Sequence, residues 1–499
     1  MASSPAMPSP GPVARLQAAL AERPERTALE FEGRAVTFGD LDRLSARFAA
    51  GLAAFRVTPG DAVAVRMGTT PEAIVALLGN FRAGTVHVPL NPSFTDEESR
   101  HVLSDSNARL VVAPAGGDSP NATPVAFHDV LAAGGDAAGR AGAPDDATAL
   151  LLYTSGTTGT SKGVELSARA VVSNLLSVME LWRVDPSDRV VIALPLFHVH
   201  GLGLGVLGPL LRGATVLLLP KFDPALVVEA FDACGGTVFM GVPTMYVRLL
   251  EHLAAAPAAA SALSRGRLFT SGSAPLSADD FAAFRAATGH AVLERYGMTE
   301  TFFTLSNPYF GERRPGSVGL PVPGSTIRIV DDEGRDVPPG EPGELVVRGN
   351  GLMTRYRNRP EETAAAFRHG WFLTGDVASR APDGYVTLHG RKSVDFVKSG
   401  GYRISTREVE DVLSRHPSVR EVAVVGLPDR VFGQRVAAAV VPAGGADPAS
   451  LTAGLRDLAG RSLAPYKQPR DIVLVTELPR TPLGKVQKTA LAAALAKGD

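Results

Sequence analysis

Three observations predict an α/β fold built as two domains. Residues 1–390 alternate short β-branched runs with longer Ala/Leu-rich stretches of helical spacing, the pattern of parallel strands covered by helices. From about Ser325 short strands separated by Gly and Pro mark a small β subdomain, and after Gly390 a compact α+β unit follows. A length of 499 residues also exceeds what one hydrophobic core organises. The domains are therefore 1–390 and 391–499, with the break inside 390–394.

Taken in order, the expected strands of the large domain are Ala62–Val65, Val86–Val88, Leu110–Val112, Val190–Leu194, Thr215–Leu219, Thr237–Met240, Arg267–Thr270 and Ala291–Leu293. Windows such as Pro71–Arg82 and Ala225–Ala233 carry the apolar stripe of helices packed on a sheet. Residues 133–147, rich in Gly, Ala, Asp and Pro, read as a surface connection. The β subdomain holds Thr326–Val330, Gly343–Arg348 and Gly384–His389. The last domain holds strands Val394–Val397, Val422–Gly426, Arg435–Val441 and Ile472–Val475, with helices over Thr406–Arg415 and 450–462.

Composition narrows the function. Fifty basic against fifty-one acidic residues leave a net charge of −1, so no global field draws in nucleic acid or an anionic membrane. The single cysteine, Cys234, excludes an internal disulfide and a cysteine-cluster metal site. The first residues lack the apolar run of a signal peptide, and Leu202–Leu211 is too short and too broken by glycine to span a bilayer. A cytoplasmic protein is expected, and any anionic ligand must be held locally.

The most informative segment is YTSGTTGTSKG at 153–163. Glycine amides, hydroxyls and Lys162 at this density can wrap a polyphosphate, and the apolar run Ala149–Leu152 places the segment at the end of a buried strand. It differs from the common P-loop, because Ser161 follows Gly156 at the fifth position and Gly163 follows Lys162. A flexible linker is the competing reading. Gly203, Gly205 and Gly208 also imitate a dinucleotide fingerprint, with Asp223 twenty residues beyond Gly203. Eight residues separate the strand end at Leu194 from Gly203, so close helix packing is expected of these glycines instead.

Three further segments join the phosphate loop, and several lesser ones surround them. LGNFRAGTVHVPLNP, YTSGTTGTSKG, PLFHVHG at 195–201, RYGMTE at 295–300, FLTGD at 372–376, GR at 390–391, KSGGYRIS at 398–405 and PRTPLGKVQK at 479–488 occur in this order. Together the chain resembles the adenylate-forming superfamily of acyl-CoA synthetases, adenylation domains and luciferases over almost its whole length. That resemblance implies ATP, Mg²⁺ and coenzyme A as small-molecule reactants. A carboxylate attacks the α-phosphate, so the site must hold anionic groups together and stabilise charge on oxygen.

The resemblance also implies roles. Ser155, Gly156, Thr157, Thr158, Gly159 and Lys162 would hold pyrophosphate, Glu300 the Mg²⁺, and Thr299 the α-phosphate. Tyr296 and the backbone of Gly272, Ser273, Ala274 and Pro275 would border adenine, while Asp376 and Arg391 would meet the ribose. Lys485 would bridge carboxylate and α-phosphate, which requires 391–499 to act as a mobile lid. Ser399, Gly400 and Gly401, with His198 as a gate, would line the thiol channel. One departure stands out: eight residues, Lys392 to Ser399, separate GR from the glycine pair where many relatives have seven, leaving Lys392, Ser393 or Val394 as hinge.

The acyl pocket is expected from HVHGLGLG, FMGVPTMY, TSGSAP and LERYG, including Ser271 and Met298. Malonyl-CoA synthetases resemble this chain in ERYGMTE, in the HxHG of PLFHVHG and in VPTMY. A buried Arg295 calls for an anion, which the distal carboxylate of a diacid would supply, with His200 as a second donor. Glu294 should point to the opposite face of the strand. Arg295 facing solvent is the competing arrangement. The expectation is a malonate-CoA ligase that also accepts methylmalonate, against a fatty or aryl acyl-CoA synthetase.

Overall fold

The computed structural model describes residues 11–115, 122–135, 144–154, 161–392, 395–399, 402–481 and 484–496. Two units emerge, one of residues 1–326 and 347–372, the other of 327–346 and 373–499. The sequence sets the break at 390/391; the structure instead groups most of the small β subdomain with the C-terminal residues.

The first unit contains two sheets. In one, parallel strands lie in the spatial order Thr27–Phe31, Thr215–Leu218, Arg189–Ile192, Val238–Gly241, Leu268–Ser271 and Leu293–Met298. Leu293–Met298 then turns into an antiparallel hairpin with Phe302–Ser306. In the other, Thr148–Thr154, Val86–Pro89, Ala62–Val65, Ala108–Ala113 and Thr123–Ala126 are parallel, and Lys162–Ser167 returns antiparallel to Thr148–Thr154. Continuous burial of strands such as Ala62–Val65 reflects helices on both faces. The last expected strand of this domain begins later than its apolar residues suggest, at Leu293, so Arg295, Tyr296 and Met298 are strand residues.

Helix boundaries follow their capping chemistry. Pro71–Ala83 starts behind Thr70, whose hydroxyl accepts from Ala73 N, and stops at Gly84 with φ 71°. Ala278–Thr288 is capped by Ser277 and ended by Gly289. The GxGxxG decoy lies in the wide-turned helix His200–Leu207 and the helix following it. A β-carbon on Gly203, Gly205 or Gly208 would fall about 3 Å or less from Phe302, Ile192 and Met179, at 3.0, 2.9 and 2.9 Å, so these glycines serve close packing as expected.

In the second unit, Trp371–Arg380 and Val386–Arg391 pair antiparallel. A five-stranded sheet follows, with Gly433–Pro442 between Val419–Asp429 and the parallel Asp471–Leu474. Helices Thr406–Leu413 and Pro448–Ser462 cover one apolar cluster, and Lys488–Ala496, which periodicity had not marked, adds Leu491 to a second. Among the described residues no helix is long and apolar enough to cross a membrane.

Candidate active site

The segments expected to carry chemistry follow the carboxyl ends of parallel strands, where open α/β sheets bind ligands. His198 and His200 come after Arg189–Ile192, Ser271 ends Leu268–Ser271, and the phosphate loop leaves Thr148–Thr154. Ser155–Gly159 of that loop, like Gly400, Gly401, Ser393 and Val394, lie outside the described residues.

Arg295 is 4% exposed, and its Nε and Nη2 have no hydrogen-bond partner. Its guanidinium carbon stands 5.1 Å from the centre of the Phe303 ring. Burial lowers its pKa to about 9, which still leaves it charged at neutral pH. Glu294 does not neutralise it: that carboxylate accepts from Gly316 N at 2.9 Å and Leu276 N at 3.3 Å. The inward orientation of Arg295 is thus the one realised.

Other unspent polar atoms accompany it. His198 Nε2, His200 Nε2, Ser271 Oγ and Thr270 Oγ1 are buried without partners. Burial brings His198 to about 4 and pushes His200 well below the usual imidazole range, Arg295 adding to the second shift. Both rings are therefore neutral at pH 7. His200 Nδ1 lies 3.4 Å from Ser273 Oγ, and Ser273 holds φ at 69°, a left-handed conformation uncommon for serine. Native interiors rarely leave this many buried side-chain polar atoms without a partner, and all of these lie on or just after strands of one sheet.

A second group lies around the hairpin turn. Glu300 is 8% exposed and accepts from Tyr356 Oη at 3.0 Å, while Thr299 is half-buried beside it. Lys162 lies 5.3 Å from the centre of the Tyr356 ring and pairs with Glu362. Tyr356 is held by its neighbours: Arg355 and Arg357 both bind the buried Glu165, each at 3.1 Å, on the opposite face of the strand. Sequence reading missed Tyr356, Glu362 and Glu165. Tyr356 and Glu362 lie in RYRNRPEET at 355–363, and Glu165 lies far from them in the chain. Tyr296 is buried, with its hydroxyl 3.6 Å from Met298 Sδ.

The second unit gathers its own candidates. Asp376 and Arg391 are cross-strand partners, with Arg391 Nε 2.8 Å from Asp376 Oδ1. Lys485 is exposed at the residue level, yet desolvation of its ammonium end lowers its pKa, as does Arg391, while Asp376 and Asp395 oppose the shift. Ser399 is buried opposite Gly433.

Residues 16–357 match the AMP-binding enzyme family, and 408–485 match the AMP-binding enzyme C-terminal domain. The chain belongs to this family. A mitochondrial malonate–CoA ligase of Mus musculus is 38% identical over 84% of this chain and 79% of its own. A feruloyl-CoA synthase of an Amycolatopsis species is also 38% identical, over 93% of this chain and 95% of its own. The crystal structure of ATP-bound MatB from Rhodopseudomonas palustris superposes with a TM-score of 0.90 at 36% identity, covering 98% of this chain and 99% of that one. This AMP-binding enzyme is accordingly an ATP-dependent acid–CoA ligase whose reactants are ATP, CoA and a small carboxylic acid.

Proposed function

We propose that the acid is malonate, with methylmalonate also accepted, and that the product is the CoA thioester formed through an acyl-adenylate. One observation carries this reading: Arg295 is charged, buried and unspent at Nε and Nη2. A second carboxylate would recover the several kcal/mol that an unpaired buried charge costs. His200 and Ser271 would complete the distal-carboxylate site, and Met298 would border the short acyl chain.

In the first half-reaction the proximal carboxylate attacks the α-phosphorus of ATP and pyrophosphate leaves. Lys162 and Ser155–Gly159 would hold the departing group, so Lys162 must exchange Glu362 for phosphate. Tyr296 and Gly272–Pro275 would border adenine, Thr299 the α-phosphate, and Asp376 and Arg391 the ribose. Lys485 would stabilise charge between the reacting carboxylate and phosphate after closure of 391–499.

Magnesium would neutralise the phosphates. Glu300, a buried carboxylate, is the oxygen donor it prefers. No group of three or more His, Cys, Asp or Glu able to hold a metal occurs among the described residues, so phosphates and water would supply the other ligands. In the second half-reaction the CoA thiol attacks the acyl carbon and AMP leaves, past His198 and Ser399–Gly401.

The feruloyl-CoA synthase likeness keeps an aryl or fatty acyl-CoA synthetase as the second reading. AMP release with malonate, methylmalonate, succinate, acetate and benzoate, each with CoA present, decides between them. Preference for malonate supports the diacid site; preference for benzoate or long-chain acids replaces it with the second reading.

A further inference from the structure

Lys488 is three residues beyond Lys485, and all three protons of its ammonium are taken. It lies 2.7 Å from Asp395 Oδ1 and 2.8 Å from Glu410 Oε1, and donates to Thr406 Oγ1 at 2.6 Å. The other oxygen of Asp395, Oδ2, accepts from the backbone N of Arg391 at 2.8 Å. Arg391 in turn pairs with Asp376. A chain of polar contacts therefore runs from the expected ribose contacts to the first residue of the last helix.

Backbone contacts continue it to the catalytic loop. Gln487 N donates to Pro479 O at 2.7 Å, and Thr481 N to Lys485 O at 2.8 Å, which closes the loop that carries Lys485. Close approach at the Asp395 end needs glycine, since a β-carbon on Gly390 would fall 2.5 Å from Asp395 Cβ.

We infer that Lys488 is a positioning residue for Lys485, anchoring its loop to Asp395 and Glu410 during adenylation. The inference rests on the reading above that Lys485 acts in that step. Helix Lys488–Ala496 has a separate apolar anchor in Leu491, so the tether is not the only thing holding the helix.

The test separates the half-reactions in the full-length enzyme. Acid-dependent exchange of pyrophosphate into ATP reads adenylation; CoA-driven AMP release from preformed acyl-adenylate reads thioester formation. Lys488→Met should lower exchange by about 100-fold, the scale expected when a reacting group is misplaced by about 1 Å. The KM for ATP and the thioester step should stay within about threefold. Lys488→Met combined with Glu410→Gln removes the excess buried charge and should remain equally defective in exchange. Recovery of exchange in the double variant, or equal loss of both half-reactions, overturns the proposal in favour of a fold staple. Lys485→Ala is the reference: if it keeps exchange, the reading of Lys485 fails; if it alone loses exchange, only the role of Lys488 fails.

Discussion

Gly272 and Arg295 are neighbours in space because only hydrogen stands between them: a β-carbon on Gly272 would lie 2.5 Å from the guanidinium carbon. The arginine lies against the backbone that ends one strand while belonging to the adjacent parallel strand. Its direction is therefore set by a glycine in a different segment.

Gly272→Ala should displace the guanidinium at a cost of about 1–3 kcal/mol, typical of overpacking. kcat/KM for malonate should fall about 5- to 150-fold, the kinetic equivalent of that cost, with a much smaller loss for acetate. Steady-state kinetics with both acids checks this; equal losses would mean that the methyl group disturbs adenine rather than the acyl site.

Arg295→Met should separate stability from function. Replacing an unpaired buried charge by an apolar chain of similar length should stabilise the ligand-free enzyme by several kcal/mol, the penalty an uncompensated buried charge carries. The same change should remove about 3–5 kcal/mol of transition-state binding for a diacid and far less for a monocarboxylic acid. Denaturant unfolding and kcat/KM measure the two sides. A variant that is both less stable and still selective for malonate would contradict the assignment.

Tyr356→Phe deletes the hydroxyl that donates to Glu300 but keeps the ring near Lys162. One hydrogen bond to a charged group is worth about 1.5–3 kcal/mol, so adenylation should require more Mg²⁺ and slow by about 10- to 100-fold. A Mg²⁺ titration of pyrophosphate exchange is the measurement. An unchanged Mg²⁺ requirement would remove Tyr356 from the site.

Stability should fall as the solution is made acidic. Burial holds His87 at about 3 and His198 at about 4, against an ordinary value of 6.5, and pushes His200 down as well. Below pH 6.5 the unfolded chain therefore binds protons that the folded protein does not. The stability these neutral rings contribute is complete above pH 6.5 and is lost as pH falls toward 4, by about 1.4 kcal/mol per histidine per pH unit. His87 is fixed as an acceptor: Thr85 Oγ1 donates to Asn80 Oδ1 at 2.6 Å, turning Asn80 Nδ2 toward His87 Nδ1 at 3.0 Å. Urea midpoints between pH 7.5 and 5 should show the slope, and His198→Asn should flatten it.

Sequence order by itself determined the architecture and the motif set. Apolar runs such as Ala62–Val65 and capped windows such as Pro71–Ala83 are local signals, fixed by residue period and by side chains a few positions apart. The GxGxxG decoy was also rejected locally, by its distance from the strand end. Local chemistry was silent on Tyr356, Glu165 and Lys488, because each acquires its role from partners 56 to 192 residues away, as in Tyr356 with Glu300 and Arg357 with Glu165. It did not foresee the pairing of Asp376 with Arg391, which strand register sets. Whether Arg295 faces inward was equally beyond the chain order: strand alternation allows either face, and packing against Gly272 and Phe303 selects the buried one. Tertiary structure decides such points because a charge is satisfied or stranded only by the groups that folding brings around it.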